Sequence, residues 1–180
     1  MIVCAGKSES FPFAKAMGIG LIEMSINLTE QCLRERPEFL LFVGSAGSYG
    51  EHEIFEIVES KSATNIENGF FNAGAYSPID NMVSTAQDVS RETIVNSSNY
   101  ITTDSSLAQA YIDKGIGLEN MEFYALLKVA QRFNIPAGGV FVVTNRCDKH
   151  AHQDFIKNHR EAMHRLTAYM EQKVRNNEKQ

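Results

Sequence analysis

The fold is decided by a run of five apolar residues, Phe39-Leu40-Leu41-Phe42-Val43, followed directly by Gly44-Ser45-Ala46-Gly47. An apolar run without alternation is typical of a central strand that is buried on both faces. The two glycines allow the backbone to turn sharply and expose its amides, and Ser45 adds a hydroxyl donor. The segment after the strand therefore predicts a cradle for an anion or a ribose, although an ordinary strand-to-loop turn explains the same letters when they are taken alone.

Strands and helices alternate outward from this run. Further strands are predicted at 2–5, 54–58, 92–100 and 140–143. Helices are predicted at 14–36, 105–114, 122–133 and 153–174. In the first helix, a single face carries Ile19, Ile22, Ile26 and Leu33. The alternation indicates an α/β fold, a three-layer α/β/α sandwich with a central mixed β-sheet, with residues 1–180 as one domain.

Composition excludes several classes of partner. The chain has 180 residues and a formal net charge of −5, which argues against binding a nucleic-acid backbone or an anionic membrane surface. We expect neither a signal peptide nor a membrane span, because no apolar segment is long enough. The cysteines, Cys4, Cys32 and Cys147, are odd in number and widely spaced, as is typical of reduced thiols in a cytoplasmic protein. No metal site is expected, since His150 and His152 lack further ligands at useful spacing.

Polar residues follow three of the predicted strands. They lie in the segments Gly6-Lys7-Ser8-Glu9, Gly44-Ser45-Ala46-Gly47 and Thr144-Asn145-Arg146. Ligands of α/β folds usually bind at the carboxyl ends of the strands, so these segments are candidates for one site.

Two further positions allow both a structural and a functional interpretation. Glu122 stands at the start of a predicted helix, where a carboxylate either interacts with the helix dipole or accepts hydrogen bonds from ribose hydroxyls while Met121 packs on the sugar. Asn145 ends a strand, where it serves either as a turn residue or as a donor and acceptor for a heterocycle.

Taken together, these segments resemble the nucleoside phosphorylase and methylthioadenosine nucleosidase superfamily. The family's glycine pair at a helix start resembles Gly18-Ile19-Gly20, and its G-S-x-G loop resembles Gly44-Ser45-Ala46-Gly47. Its ribose motif, Glu-Met-Glu, falls at Asn120-Met121-Glu122, and its strand ending in Ser-Asp falls at Thr144-Asn145. The segment that places an aromatic ring on the base resembles Ser97-Ser98-Asn99-Tyr100. Order and approximate spacing agree from about Gly18 to the C-terminus.

The resemblance implies an enzyme of the purine nucleoside phosphorylase type, a glycosyltransferase that cleaves an N-ribosidic bond with phosphate as co-substrate and without a cofactor. Substrate would be bound by Gly20, Ser45, Tyr100, Met121 and Glu122, with Asn145 as the catalytic group. A homodimer or higher homo-oligomer is expected, since family members assemble in this way.

The departures from the family leave alternatives open. The arginine that binds phosphate in bacterial phosphorylases is replaced by Phe42 or Val43, and Lys7, Ser45 or Arg146 would have to bind phosphate instead. The catalytic aspartate is replaced by Asn145, with Asp148 as a substitute acid three residues later. A hydrolytic nucleosidase and a non-catalytic nucleoside-binding relative are therefore the alternatives.

Asn145 also predicts a preference between bases. Its amide has no acidic proton to give an adenine, but it donates a hydrogen bond to the N7 or O6 of a 6-oxopurine, where negative charge collects as the bond breaks. We therefore expect 6-oxopurine nucleosides to be favoured over 6-aminopurine nucleosides.

Overall fold

The computed structural model describes residues 1–72 and 76–177. The strands in these ranges are β1 (Ile2–Cys4), β2 (Lys15–Ala16), β3 (Leu40–Ser48), β4 (Ile57–Ser60), β5 (Ser62–Thr64), β6 (Met82–Ser84), β7 (Ile94–Ser97), β8 (Ile116–Asn120) and β9 (Ala137–Arg146). The α-helices are α1 (Gly20–Glu35), α2 (Ser105–Ile112), α3 (Phe123–Phe133) and α4 (Ala151–Asn177). Single 3₁₀ turns lie at Asn68–Phe71 and Val89–Arg91.

Strand β3 is the centre of a mixed sheet. It pairs in parallel with β9 along its whole length, and its other edge is shared by β1, which is parallel, and β8, which is antiparallel. From β8 the pairing continues through β7 to β5, while β4 pairs with β9 on the other side. Only Lys61 separates β4 from β5, so the chain passes at this point from one end of the pairing path to the other.

Helices cover both faces of the central strands. Phe42, Phe141 and Val143 belong to the core that includes α1 and α3 residues such as Met24 and Leu126. The alternate positions Val43, Val140 and Val142 belong to a second core with α4. This alternation explains why both strands are apolar without interruption. The predicted α/β class, with its three layers and mixed sheet, is confirmed.

The first helix begins six residues later than predicted. Residues Lys15 and Ala16 form an edge strand, and the helix starts at Gly20, since Gly18 and Gly20 have φ values of +99° and +84°. Such values are unfavourable for residues with a Cβ and interrupt a helix. The apolar face seen in the sequence is the exposed face, and the buried residues are Gly20, Met24, Leu28 and Cys32.

The predicted loop at Gly44–Ser48 is wrong, because β3 continues through it to Ser48. Hydrogen bonding to β9 keeps the segment extended, with one irregularity between Ala46 and Gly47. Strand β9 likewise includes Thr144-Asn145-Arg146. The glycines therefore serve to leave room beside the strand, as the contacts around Gly44 and Gly47 show below.

None of the helices within the described ranges is long and apolar enough to cross a membrane.

Candidate active site

A cavity of about 310 Å³ opens where β3 and β9 end and where β8 passes into α3. Five of the sequence-predicted residues line this cavity: Ser45, Tyr100, Met121, Glu122 and Asn145. Segments from distant parts of the chain thus meet here, as expected for the carboxyl ends of α/β strands.

Glu9 enters the cavity from the turn after β1. One carboxylate oxygen accepts a hydrogen bond from the Ser45 hydroxyl, and the other accepts one from the Ser45 amide at 3.1 Å. The close approach requires Gly44, since a Cβ there would lie 2.7 Å from Glu9 Oε2. The Ser45 hydroxyl, which was expected to bind ribose or phosphate, is therefore already engaged with a carboxylate.

Glu122 lies at the junction of β8 and α3 and is buried. The Gly20 amide donates to its Oε1 at 2.8 Å, across 102 residues of sequence. Burial is the main cause that raises the pKa of Glu122 to about 7; the Gly20 hydrogen bond opposes the shift, and the charge of Glu9 adds to it. Gly20 is not among the residues that line the cavity, so what the structure shows for it is the positioning of Glu122.

Asn120 fixes the start of α3. Its side-chain oxygen accepts hydrogen bonds from the amides of Glu122 and Phe123, at 2.7 and 2.9 Å, which is the arrangement of an Asx turn before the helix. Its amide nitrogen donates to the Ser45 carbonyl at 3.2 Å. The residue that departs from the family's motif thus connects the two segments that carry Glu122 and Ser45.

Asn145 has a fixed orientation in the wall of the cavity. The Thr144 hydroxyl donates to its Oδ1 at 2.9 Å, and its Nδ2 donates to the Arg146 carbonyl at 3.2 Å. The second lone pair of Oδ1 and the second N–H of Nδ2 therefore remain for a ligand.

Glu119 is a third carboxyl group in the wall, on β8. Both of its oxygens accept from the Thr102 amide, at 3.0 and 3.3 Å, and only 8% of the residue is exposed. Burial is the main cause that raises the pKa of Glu119. Glu119 directly precedes the segment Asn120-Met121-Glu122, and no role was predicted for it from the sequence.

Apolar side chains form the rim. Ile19, Tyr100, Ile101 and Phe155 line the opening, and 73% of Tyr100 is exposed. Tyr100 therefore lies at the mouth of the cavity with most of its surface in solvent.

The predicted phosphate-binding cations lie elsewhere. Lys7 is exposed and does not line the cavity, although its neighbours Gly6 and Ser8 do. Arg146 donates to the Gly50 carbonyl and forms an ion pair with Glu53. Asp148 accepts from the His150 amide at the start of α4 and likewise does not line the cavity.

Metal binding finds no support in the ranges that the structure describes, since no group of three or more metal-ligating side chains occurs there.

Sequence reasoning missed Glu9 as a functional residue. The segment Gly6–Glu9 was predicted to lie at the site, but Lys7 was chosen as its binding residue because a phosphate site needs a cation. A clearer signal in the sequence was the combination of an acidic residue after β1, Glu9, with a glycine, Gly44, in a strand of otherwise bulky residues.

This fold agrees with the comparisons to known proteins. The sequence pattern of the Phosphorylase superfamily matches residues 2–175, and the chain belongs to that superfamily. The predicted family resemblance is thereby confirmed. No curated protein sequence matches the chain.

Several solved nucleosidases have the same fold. A Helicobacter pylori methylthioadenosine nucleosidase mutant with 5′-methylthioadenosine in its active site is 14% identical, with a TM-score of 0.79 and 97% of each chain covered. A mutant of Helicobacter pylori futalosine hydrolase is 14% identical, with a TM-score of 0.80 and 97% of each chain covered. A Streptococcus pneumoniae nucleosidase in complex with 8-aminoadenine is 13% identical, with a TM-score of 0.74, covering 94% of this chain and 95% of its own.

Proposed function

We propose that the protein is a nucleosidase that cleaves the N-ribosidic bond of a purine nucleoside with water. The phosphorolytic activity expected from the sequence fits the site less well, and the similar folds of solved nucleosidases favour hydrolysis. The observation that carries the proposal is the composition of the cavity wall. Within the described ranges the wall has three carboxyl groups, Glu9, Glu119 and Glu122, one histidine, His152, and no lysine or arginine that could bind phosphate.

A carboxyl-lined wall disfavours phosphate as the attacking group. Phosphate is an anion at neutral pH, and like charges in a poorly solvated cavity repel each other strongly. Water carries no charge, and a carboxylate promotes its attack by accepting its proton. The same wall that excludes phosphate therefore favours hydrolysis.

Glu9 is suited to activate the water. The amide and hydroxyl of Ser45 hold its carboxylate in one orientation at the cavity wall. A water at this carboxylate gives its proton to Glu9 while its oxygen bonds to C1′ of the ribose. Fixed geometry is what general base catalysis requires, and such catalysis contributes about 10²- to 10⁴-fold in rate.

Glu122 is suited to bind the ribose. Its Oε1 is held by Gly20, which leaves Oε2 and the free lone pairs to accept hydrogen bonds from the sugar hydroxyls. In its ionised form it also stabilises the positive charge that develops on the ribosyl group as the bond to the base breaks. Met121 lines the same wall and provides an apolar surface for the sugar.

The test is an assay of inosine, guanosine, adenosine and methylthioadenosine, each with and without phosphate. We expect release of free base at the same rate in both conditions. Glu9→Gln should slow release by about 10²-fold or more, because the amide cannot accept the proton of the attacking water. The matched control is Glu161→Gln on the exposed surface of α4, which should change nothing. A requirement for phosphate would contradict hydrolysis, and binding without turnover would favour the non-catalytic alternative.

The homo-oligomer stays a prediction, and the exposed face of α1 is the surface that we propose for it. Ile22, Ile26 and Leu33 are each more than 60% exposed, and Ile19 continues this face to the rim of the cavity. An exposed apolar patch of this kind is typical of an interface.

The free buried thiols Cys4, Cys32 and Cys147 fit the proposed cytoplasmic location.

A further inference from the structure

Cleavage of a nucleoside leaves an electron pair on the departing base, and a proton stabilises it. Asn145 stands in the wall where the base is expected, but an amide has no acidic proton to transfer. A hydrolase that acts on purine nucleosides therefore benefits from another acid on the same side of the cavity.

A candidate for this acid lies beside Gly47. A Cβ at Gly47 would be 3.0 Å from Asn145 Nδ2, 3.0 Å from Cys147 Sγ and 3.2 Å from Glu119 Cγ. Since the glycine has no side chain, Asn145 and Glu119 approach each other around this point. Glu9 and Glu122 are held elsewhere, by Ser45 and Gly20 respectively.

Burial favours the protonated form of Glu119, and the hydrogen bonds from Thr102 only partly oppose this effect on its pKa. The residue is nearly buried, and desolvation raises its pKa. The Thr102 amide fixes the carboxyl group, and Thr102 directly follows Tyr100 and Ile101 at the rim where the base enters.

We propose that Glu119 is the acid that protonates the leaving base, a catalytic role that Asn145 cannot fill. The inference rests on the proposed hydrolytic function. As the bond from C1′ to N9 breaks, its electron pair goes to the base, and the Glu119 proton goes to a ring nitrogen. The water oxygen bonds to C1′, and the water proton goes to Glu9. After the products leave, exchange with solvent returns the proton from Glu9 to Glu119.

The test compares two leaving groups in wild type and Glu119→Gln. A purine leaves more readily when it is protonated, whereas the nitrophenolate of para-nitrophenyl riboside leaves without a proton. Gln keeps the shape and can still accept from the Thr102 amide, but it has no proton to donate. We expect purine nucleoside hydrolysis to fall by about 10²-fold or more, while nitrophenyl riboside cleavage stays within about threefold.

A second variant places the carboxyl group at position 145 instead of position 119. Glu119→Gln combined with Asn145→Asp should regain at least about tenfold of the lost nucleoside activity, because a carboxyl group is again beside the base. A structural role for Glu119, holding the Thr102 segment, would not be rescued in this way. Recovery of activity in the double variant therefore distinguishes a catalytic from a structural role for Glu119, even when nitrophenyl riboside is a poor substrate.

The outcomes separate the two claims. Equal loss on both substrates without rescue, or no loss on either, overturns the role of Glu119 and leaves hydrolysis standing. A wild type that cleaves neither substrate overturns the proposed function and, with it, the role of Glu119. Should Glu119→Gln fail to fold in a thermal melt, Glu119→Asp replaces it. Its shorter acid should lower the ratio of nucleoside to nitrophenyl riboside rates, and an unchanged ratio contradicts the proposal.

Discussion

The two sides of the cavity are built differently. On the sugar side, Glu9 and Glu122 are each held by hydrogen bonds from backbone amides of β3 and α1. On the base side, Asn145 and Glu119 lie around Gly47, and the rim residue Tyr100 is largely exposed. Under the proposed function, Glu9 and Glu122 would serve the ribose and the attacking water, whereas Asn145 replaces the family's aspartate beside the base. That replacement would alter recognition of the base, while Glu122 would still bind the ribose.

Replacing Glu122 with Gln should have the largest effect. The amide keeps the shape and the hydrogen bond from Gly20, but it cannot stabilise positive charge on the ribosyl group. We expect kcat/KM for any nucleoside substrate to fall by about 10²- to 10³-fold, measured by release of free base. Unchanged binding and turnover would show that the sugar does not lie at Glu122, and the contrast between the two sides would fail.

Ionisation of Glu122 should also change the free energy of unfolding as the pH changes. Its pKa is about 7 in the folded protein, against an ordinary value of 4.5. Because the folded state holds this proton more tightly, the stability contributed by Glu122 is present below pH 4.5 and is lost as the pH rises to about 7. Over that window the wild type should lose up to about 3 kcal/mol relative to Glu122→Gln in urea unfolding. A constant difference between the two proteins would contradict the raised pKa.

A substitution on the base side, at Asn145, should change the selectivity between bases more than the overall rate of hydrolysis. Asn145→Asp introduces a carboxyl group next to the base, and the ratio of adenosine to inosine hydrolysis should rise about tenfold. The wild type should favour inosine, since the second N–H of Asn145 Nδ2 can donate to the N7 or O6 of a 6-oxopurine. Faster cleavage of adenosine than of inosine by the wild type would remove this basis for selectivity and leave Glu119 as the group that decides the base.

Tyr100 should have the smallest effect, because its ring is exposed at the rim. Tyr100→Ala is expected to raise KM by about three- to tenfold, as expected for losing a stacking contact, with little change in kcat. Tyr100→Phe keeps the ring and should behave like the wild type. A nucleoside-bound structure in which Tyr100 points into solvent would show that the ring does not contact the base.

The strands and helices that carry long apolar patterns were predictable from the sequence. The runs at 39–43 and 140–143 identified β3 and β9, and the pattern at 122–133 identified α3. Strand ends were not predictable, because pairing between β3 and β9 keeps both strands extended beyond the last bulky residue. The start of α1 was missed because the positive φ values of Gly18 and Gly20 are fixed by the surrounding structure and not by their spacing.

The candidate site was predictable where a motif contributes the residue itself. Ser45, Met121, Glu122 and Asn145 all line the cavity. Glu9 and Glu119 were not recognised, since their roles depend on contacts across the fold, with Ser45 and around Gly47. Lys7 was chosen by the charge that a phosphate site requires, and only the structure shows that its side chain lies outside the cavity.

The nature of the sugar product tests the central claim most directly. The protein is incubated with inosine or methylthioadenosine in phosphate buffer made with isotopically labelled water, and the sugar is examined by mass spectrometry. The carboxyl-lined cavity predicts free ribose, or the free modified ribose, with the labelled oxygen on C1′ and a rate independent of phosphate. A ribose 1-phosphate product would contradict the account, because phosphate would then have attacked in the presence of Glu9 and Glu122.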